Sequence, residues 1–74
     1  MNPIELLSKY QWSYTKLSLM FGVSEGAARR WNFKECKSYR KPSKTAQILA
    51  VVIDNHPEVW ETIQTASLNL ENEN

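Results

Sequence analysis

The chain is expected to be all-α, a compact bundle of about five short helices. Three observations lead there. Apolar residues recur at three- and four-residue steps, as in Tyr14, Leu17, Met20 and Phe21, the spacing that lines one side of a helix. No stretch alternates apolar and polar residues with a period of two, the mark of a half-buried strand. Cap and stop residues at Asn2-Pro3, Ser13, Gly22, Ser24, Pro42-Ser43 and Pro57 cut the chain into pieces of helical length.

Asn2-Pro3-Ile4-Glu5 reads as the first helix start. Asn2 is a cap, Pro3 suits the first helical position and Glu5 can complete a capping box. Ile4, Leu6, Leu7 and Tyr10 carry that helix to about Tyr10. Ser13 caps a second helix, stapled by Trp12, and Gly22 ends it because glycine turns left-handed without steric cost. Leu19 lies off the stripe of that helix. Ser24 caps a third, running from Glu25 to at least Trp31, with Ala28 and Trp31 on one side. Gly26 within it costs about 1 kcal/mol relative to alanine, which invites a reason such as close approach to a neighbouring backbone.

The stretch from Phe33 to Lys41 reads equally as an extension of helix three or as a basic loop, and Pro42 ends any helix before it. Ser43 caps a fourth helix, apolar nearly all round from Ala46 to Ile53 and therefore expected to be the central buried one. Pro57-Glu58 opens a fifth with Val59, Trp60 and Ile63 on one side. The expected core joins Leu17, Phe21, Val23, Trp31, Ile48, Leu49, Val52 and Ile53. Residues 1–70 form the expected domain, and 71–74, without an apolar residue, a disordered tail.

Seventy-four residues make one domain, too small to build a deep cleft between lobes. Binding is therefore favoured over catalysis. Cys36 and His56 are the only cysteine and histidine. Neither has a second ligand at zinc spacing, and neither a nucleophile–base arrangement nor a glycine-rich phosphate loop is present. No enzyme activity, metal or cofactor is expected. The lone thiol fits a reducing compartment, and Glu5 stands where a secretory leader would be basic. A cytoplasmic protein without a membrane segment is the expectation.

The net charge of +1 hides a polarity. Arg29, Arg30, Lys34, Lys37, Arg40, Lys41 and Lys44 outweigh Glu35 to give +6 between positions 29 and 44. Asp54, Glu58, Glu61, Glu71 and Glu73 give −5 from Thr45 onward. Such a division predicts one face for a polyanion and another turned elsewhere.

Two short helices around Gly22-Val23-Ser24 match a helix-turn-helix. Leu17, Phe21, Val23, Ala28 and Trp31 can lock the pair, Gly22 permits the turn, and Ser24, Glu25, Ala27, Arg29 and Arg30 are left for the outer side. The pattern Leu17-x-x-x-Phe21-Gly22-Val23-Ser24-Glu25, followed by Arg29-Arg30-Trp31, resembles lambda-repressor-like (Cro-type) regulators. Arg40-Lys41-Pro42-Ser43, the helix of Ile48, Leu49 and Val52, and His56-Pro57-Glu58 are similar to the C-terminal part of antitoxin-type members, in which a dimer represses its own operon. The likeness runs from about Ser13 to Trp60. It departs from the family at Ala28, where a β-branched residue is commoner, and in its longer span from Trp31 to Pro42.

The resemblance implies a sequence-specific binder of double-stranded DNA, a transcriptional regulator of antitoxin or phage-repressor type. Helix two would cross the backbone and helix three would enter the major groove. Ser24, Glu25 and Gly26 in its first turn, with either Arg29 or Arg30, would face bases. Thr15, Lys16, Lys37, Arg40 and Lys41 would serve phosphates, with Lys34 in the same basic stretch. Glu25 is read as a dipole and cap partner, and Trp31 as core. A homodimer through Val59, Trp60 and Ile63 is expected, against the alternative that Trp60 closes over helix four within one chain. A toxin or other protein partner is a further expectation. The rival reading is a protein-interaction module that keeps the fold without binding DNA.

Overall fold

The computed structural model describes residues 1–32, 37 and 39–72. Among them are helices α1 (Glu5–Tyr10), α2 (Tyr14–Phe21), α3 (Glu25–Arg30), α4 (Lys44–Asn55) and α5 (Trp60–Asn72), a 3₁₀ turn at Pro57–Val59, and no strand. None of these helices is long and apolar enough to cross a membrane.

Local hydrogen bonds set most of the boundaries. Ser13, Ser24 and Ser43 each accept, through Oγ, the backbone N–H three residues on, all at 3.1 Å. Each bond satisfies one of the donors a helix start leaves unpaired. At the first helix the cap is reciprocal. The Ile4 N–H donates to Asn2 Oδ1 at 2.9 Å, and the Asn2 N–H donates to Glu5 Oε2 at 3.0 Å. Gly22 ends α2 at φ 65°, its N–H donating to the Ser18 carbonyl. Gln11 ends α1 in the same left-handed region at φ 56°. It lacks glycine's freedom there, at a cost of about 1–2 kcal/mol that the fold outweighs.

The core consists of two adjoining clusters. Leu6, Met20, Ala50 and Ile53 form one, and Leu17, Ala28 and Trp31 the other. Phe21 and Trp12, both half-buried, pack against both. The central helix is α2, which packs on α1, α3 and α5.

This corrects the expectation for α4. That helix turns Ala46, Leu49, Ala50 and Ile53 inward and leaves Ile48 56%, Val51 44% and Val52 42% exposed. Ile48 and Val52 are therefore outside the core. At 100° per residue, Ile48, Val51 and Val52 share the arc opposite Ala50 and Ile53. A helix at the edge of so small a bundle has neighbours on one side only. The Cα radius of gyration, 12.1 Å, is near the roughly 11 Å of a compact chain this long, so the open arc is not a sign of an expanded chain.

The break after α4 is repaired by side chains. In a continuing helix the Ile53 carbonyl would accept from residue 57, but Pro57 has no N–H. The Trp60 indole donates to that carbonyl instead, at 2.6 Å. Its ring meets Tyr10 and Trp12 edge-on, at centroid distances of 4.7 and 5.0 Å. One residue along, the Tyr10 hydroxyl donates to the Asp54 carboxylate at 2.7 Å, and the Lys9 ammonium pairs with the same oxygen at 2.7 Å. These two donors, Lys9 first, hold the Asp54 carboxyl below its ordinary range.

Trp60 thus closes over α4 within its own chain, and Ile63 packs beside it on the first cluster. Of the face expected to pair two copies, Trp60 and Ile63 pack on the monomer core, whereas Val59, also half-buried, is in neither cluster. Helix α5 runs to Asn72, past the Leu70 at which composition suggests an end. The rest of the expected tail, residues 73–74, lies outside the described residues.

Candidate nucleic-acid interface

Helix α3 has an inner and an outer side, and packing decides which is which. Ala28 and Trp31 are buried against Leu17, with Phe21 meeting Trp31 edge-on at 5.6 Å. Glu25, Gly26, Arg29 and Arg30 are exposed. Their spacing places Gly26 and Arg30 about 160° and Arg29 about 100° around the helix from Ala28, with Glu25 at the margin, about 60° from it. A Cβ added at Gly26 would meet only Ser24 Oγ, at 3.9 Å. The close backbone approach expected at this glycine is absent among the described residues, so Gly26 leaves the middle of the outer face low.

The candidate residues fall into distinct situations. Ser24 spends its hydroxyl on the Ala27 N–H as the α3 cap. Glu25 pairs with Arg29 one turn on, at 3.5 Å, both side chains being about half exposed. The Arg29 guanidinium lies over the Tyr14 ring, 4.5 Å from its centroid. Arg30 has no side-chain partner among the described residues. Both arginines occupy the last turn of α3, where cations offset the negative end of the helix dipole.

The basic stretch returns to this end of the helix. The Arg40 N–H donates to the Arg30 carbonyl at 3.0 Å, which joins the two backbones. The Arg40 guanidinium turns to its neighbour's carbonyl at Tyr39, 3.1 Å away. Helix α3 ends at Arg30, and the described part of the segment before Ser43 is not helical. Lys37 and Lys41 are exposed on it. Lys34 lies outside the described residues, as does most of the Phe33–Lys41 span.

On α2, Thr15 is exposed in the first turn. Lys16 is half-buried, its ammonium 5.5 Å from the Trp12 ring, which ties it to the aromatic seam rather than to the outer side of α3. Two residues not singled out from the sequence belong to the site. Tyr14, assigned to the apolar stripe, presents its ring to Arg29 and accepts a 2.8 Å hydrogen bond from Asn32 Nδ2. The available signal was a hydroxyl on an otherwise apolar stripe, directly after a cap.

The arrangement offers a polyanion an exposed helix face with two arginines, a third arginine at its C-terminal end, and a glycine that lets another surface come close. No protein-family model, no curated protein and no solved structure matches this chain.

Proposed function

We propose that this chain is a sequence-specific double-stranded DNA-binding transcriptional regulator of lambda-repressor-like type, with α2, the Gly22 turn and α3 as its helix-turn-helix. The observation that carries the reading is the outer side of α3. Gly26, Arg29 and Arg30 stand free of the core on one arc, and the Arg40 backbone is joined to the end of the same helix. In this reading α3 enters the major groove, Thr15 on α2 and the basic stretch meet phosphates, and the acidic second half faces away. An autorepressor of antitoxin or phage type is the regulatory role proposed.

The test is binding of the whole chain to a pool of random duplexes at two salt concentrations. Log affinity should fall with log salt by about 0.9 per neutralised phosphate, and repeated selection should enrich one sequence. No duplex binding, or binding indifferent to salt, removes the proposal.

One observation favours a second reading. Ile48, Val51 and Val52 form an exposed apolar arc on α4, which suits a protein contact. Two copies paired there on two half-sites would serve DNA binding. A different protein seated there would serve an interaction module without DNA. Sedimentation at tens of micromolar, with and without Val52→Glu, separates a dimer from a monomer awaiting a partner.

A further inference from the structure

We infer that Arg29 and Arg30 divide the work: Tyr14 is a positioning residue that fastens Arg29 as a phosphate clamp at the start of α2, and Arg30 is left to read bases. The inference rests on the DNA-binding reading and deepens it.

The two arginines are neighbours in sequence with opposite surroundings. The Arg29 guanidinium is drawn toward α2 by the Tyr14 ring at 4.5 Å, and Glu25 holds it from the preceding turn at 3.5 Å. The ring is itself held, because its hydroxyl accepts from Asn32 at 2.8 Å and its body packs on the cluster of Leu17, Ala28 and Trp31. A guanidinium stacked on a ring keeps its N–H edge free for an anion. Tyr14 is the first residue of α2, one position before the exposed Thr15. That stacked edge therefore lies where α2 would cross the sugar–phosphate backbone. The Glu25 contact is long and half exposed, so it is weak and a phosphate can replace it.

Among the described residues, Arg30 has neither ring nor carboxylate beside it. It stands about 100° around the helix from Arg29 and 40° from Gly26, on the lowest part of the outer face. A flexible arginine beside a glycine can reach a base edge and pair with it in two hydrogen bonds.

The test needs the enriched duplex, an unrelated duplex and the folded chain. Arg29→Ala should weaken both duplexes alike and lower the salt slope by about 0.9. Arg30→Ala should weaken the enriched duplex by roughly ten- to a hundredfold more than the unrelated one. Tyr14→Leu should weaken both about two- to fivefold, the factor for an exposed cation–π contact, and should do nothing further in an Arg29→Ala background. Tyr14→Phe keeps the ring but loses the bond from Asn32, so its loss should be smaller than that of Tyr14→Leu. Arg29→Lys, a surface change that leaves the core alone, should keep the salt slope and weaken both duplexes as Tyr14→Leu does. Without DNA, the Arg29 side-chain protons should show a ring-current shift in NMR spectra that Tyr14→Phe retains and Tyr14→Leu removes.

Loss of sequence preference in Arg29→Ala with an unchanged slope overturns the division of labour. So does an equal effect of Tyr14→Leu with and without Arg29, or a missing ring-current shift. Should wild type bind no duplex while the shift is present, the DNA reading itself falls and takes the inference with it.

Discussion

Helices α2 and α4 are both capped by serine and both rich in apolar residues, yet the fold uses them differently. Every apolar side chain of α2 is buried or half-buried, including Leu19, which lies off its stripe. Helix α4 leaves Ile48, Val51 and Val52 exposed. The difference is one of neighbours. Helix α2 is surrounded by α1, α3 and α5, so any apolar residue on it finds cover. Helix α4 closes one edge through two alanines and two larger residues, and among the described residues its far arc has no element to meet. An apolar helix is therefore not by itself a central helix; the number of elements around it decides.

The largest expected effect tests the repaired end of α4. Trp60→Ala should cost about 3–5 kcal/mol in denaturant unfolding, a large part of the stability of a domain this small. It removes the aromatic contacts and leaves the Ile53 carbonyl without its indole donor. A loss under 1 kcal/mol would mean that α5 does not close this side.

The comparison itself breaks or holds on a pair of isoleucines in α4. Ile53→Ala should cost about 2–5 kcal/mol. Ile48→Ser, five residues earlier on the open arc, should change stability by no more than about 0.5 kcal/mol. Both are read by chemical unfolding at several protein concentrations. A large loss in Ile48→Ser that grows with concentration would show the arc covered by a second copy.

Gly26→Ala should raise the unfolding free energy by about 1 kcal/mol, since the site is helical and among the described residues a methyl group meets only Ser24 Oγ, at an unstrained 3.9 Å. Weaker duplex binding by this more stable variant would mark the outer face of α3 as a contact surface.

The smallest effect is a pH dependence at the α1–α4 seam. Lys9 and Tyr10 hold the Asp54 carboxyl below its ordinary value of 3.8. Its contribution is present above that value and is lost as pH falls through the lowered one. Asp54→Asn should flatten the acid limb of stability against pH, while wild type loses stability there. Identical acid limbs would show that the pair with Lys9 does not contribute in solution.

Much of the skeleton could be read from adjacent residues. Ser13, Ser24 and Ser43 act three residues away, Asn2 and Glu5 exchange bonds across one turn, and Gly22 needs only its own backbone. Such interactions are as short in sequence as in space, so local patterns identify them. The outer face of α3 was legible for the same reason: once Ala28 and Trp31 are inward, helical geometry leaves Gly26, Arg29 and Arg30 outward.

What remained hidden involves partners far apart in the chain. Tyr14 and Arg29 are fifteen positions apart, and Tyr10 reaches Asp54 across 44. Trp60 offered two uses, a dimer contact or closure of the monomer, and the sequence favoured the dimer contact, whereas in the structure Trp60 closes over α4. The missing N–H of Pro57 was visible in the sequence, but which donor would replace it depends on how α5 folds back. The sequence by itself determined the serine-capped starts of α2, α3 and α4, the Gly22 stop of α2, and which side of a short helix is apolar, because backbone hydrogen bonding and the 100° step are local. Only the tertiary structure decided that α2 is central, that α4 keeps an open arc, and that Arg29 rests on Tyr14 while Arg30 has no such partner among the described residues, because burial and pairing depend on which distant elements arrive beside a residue.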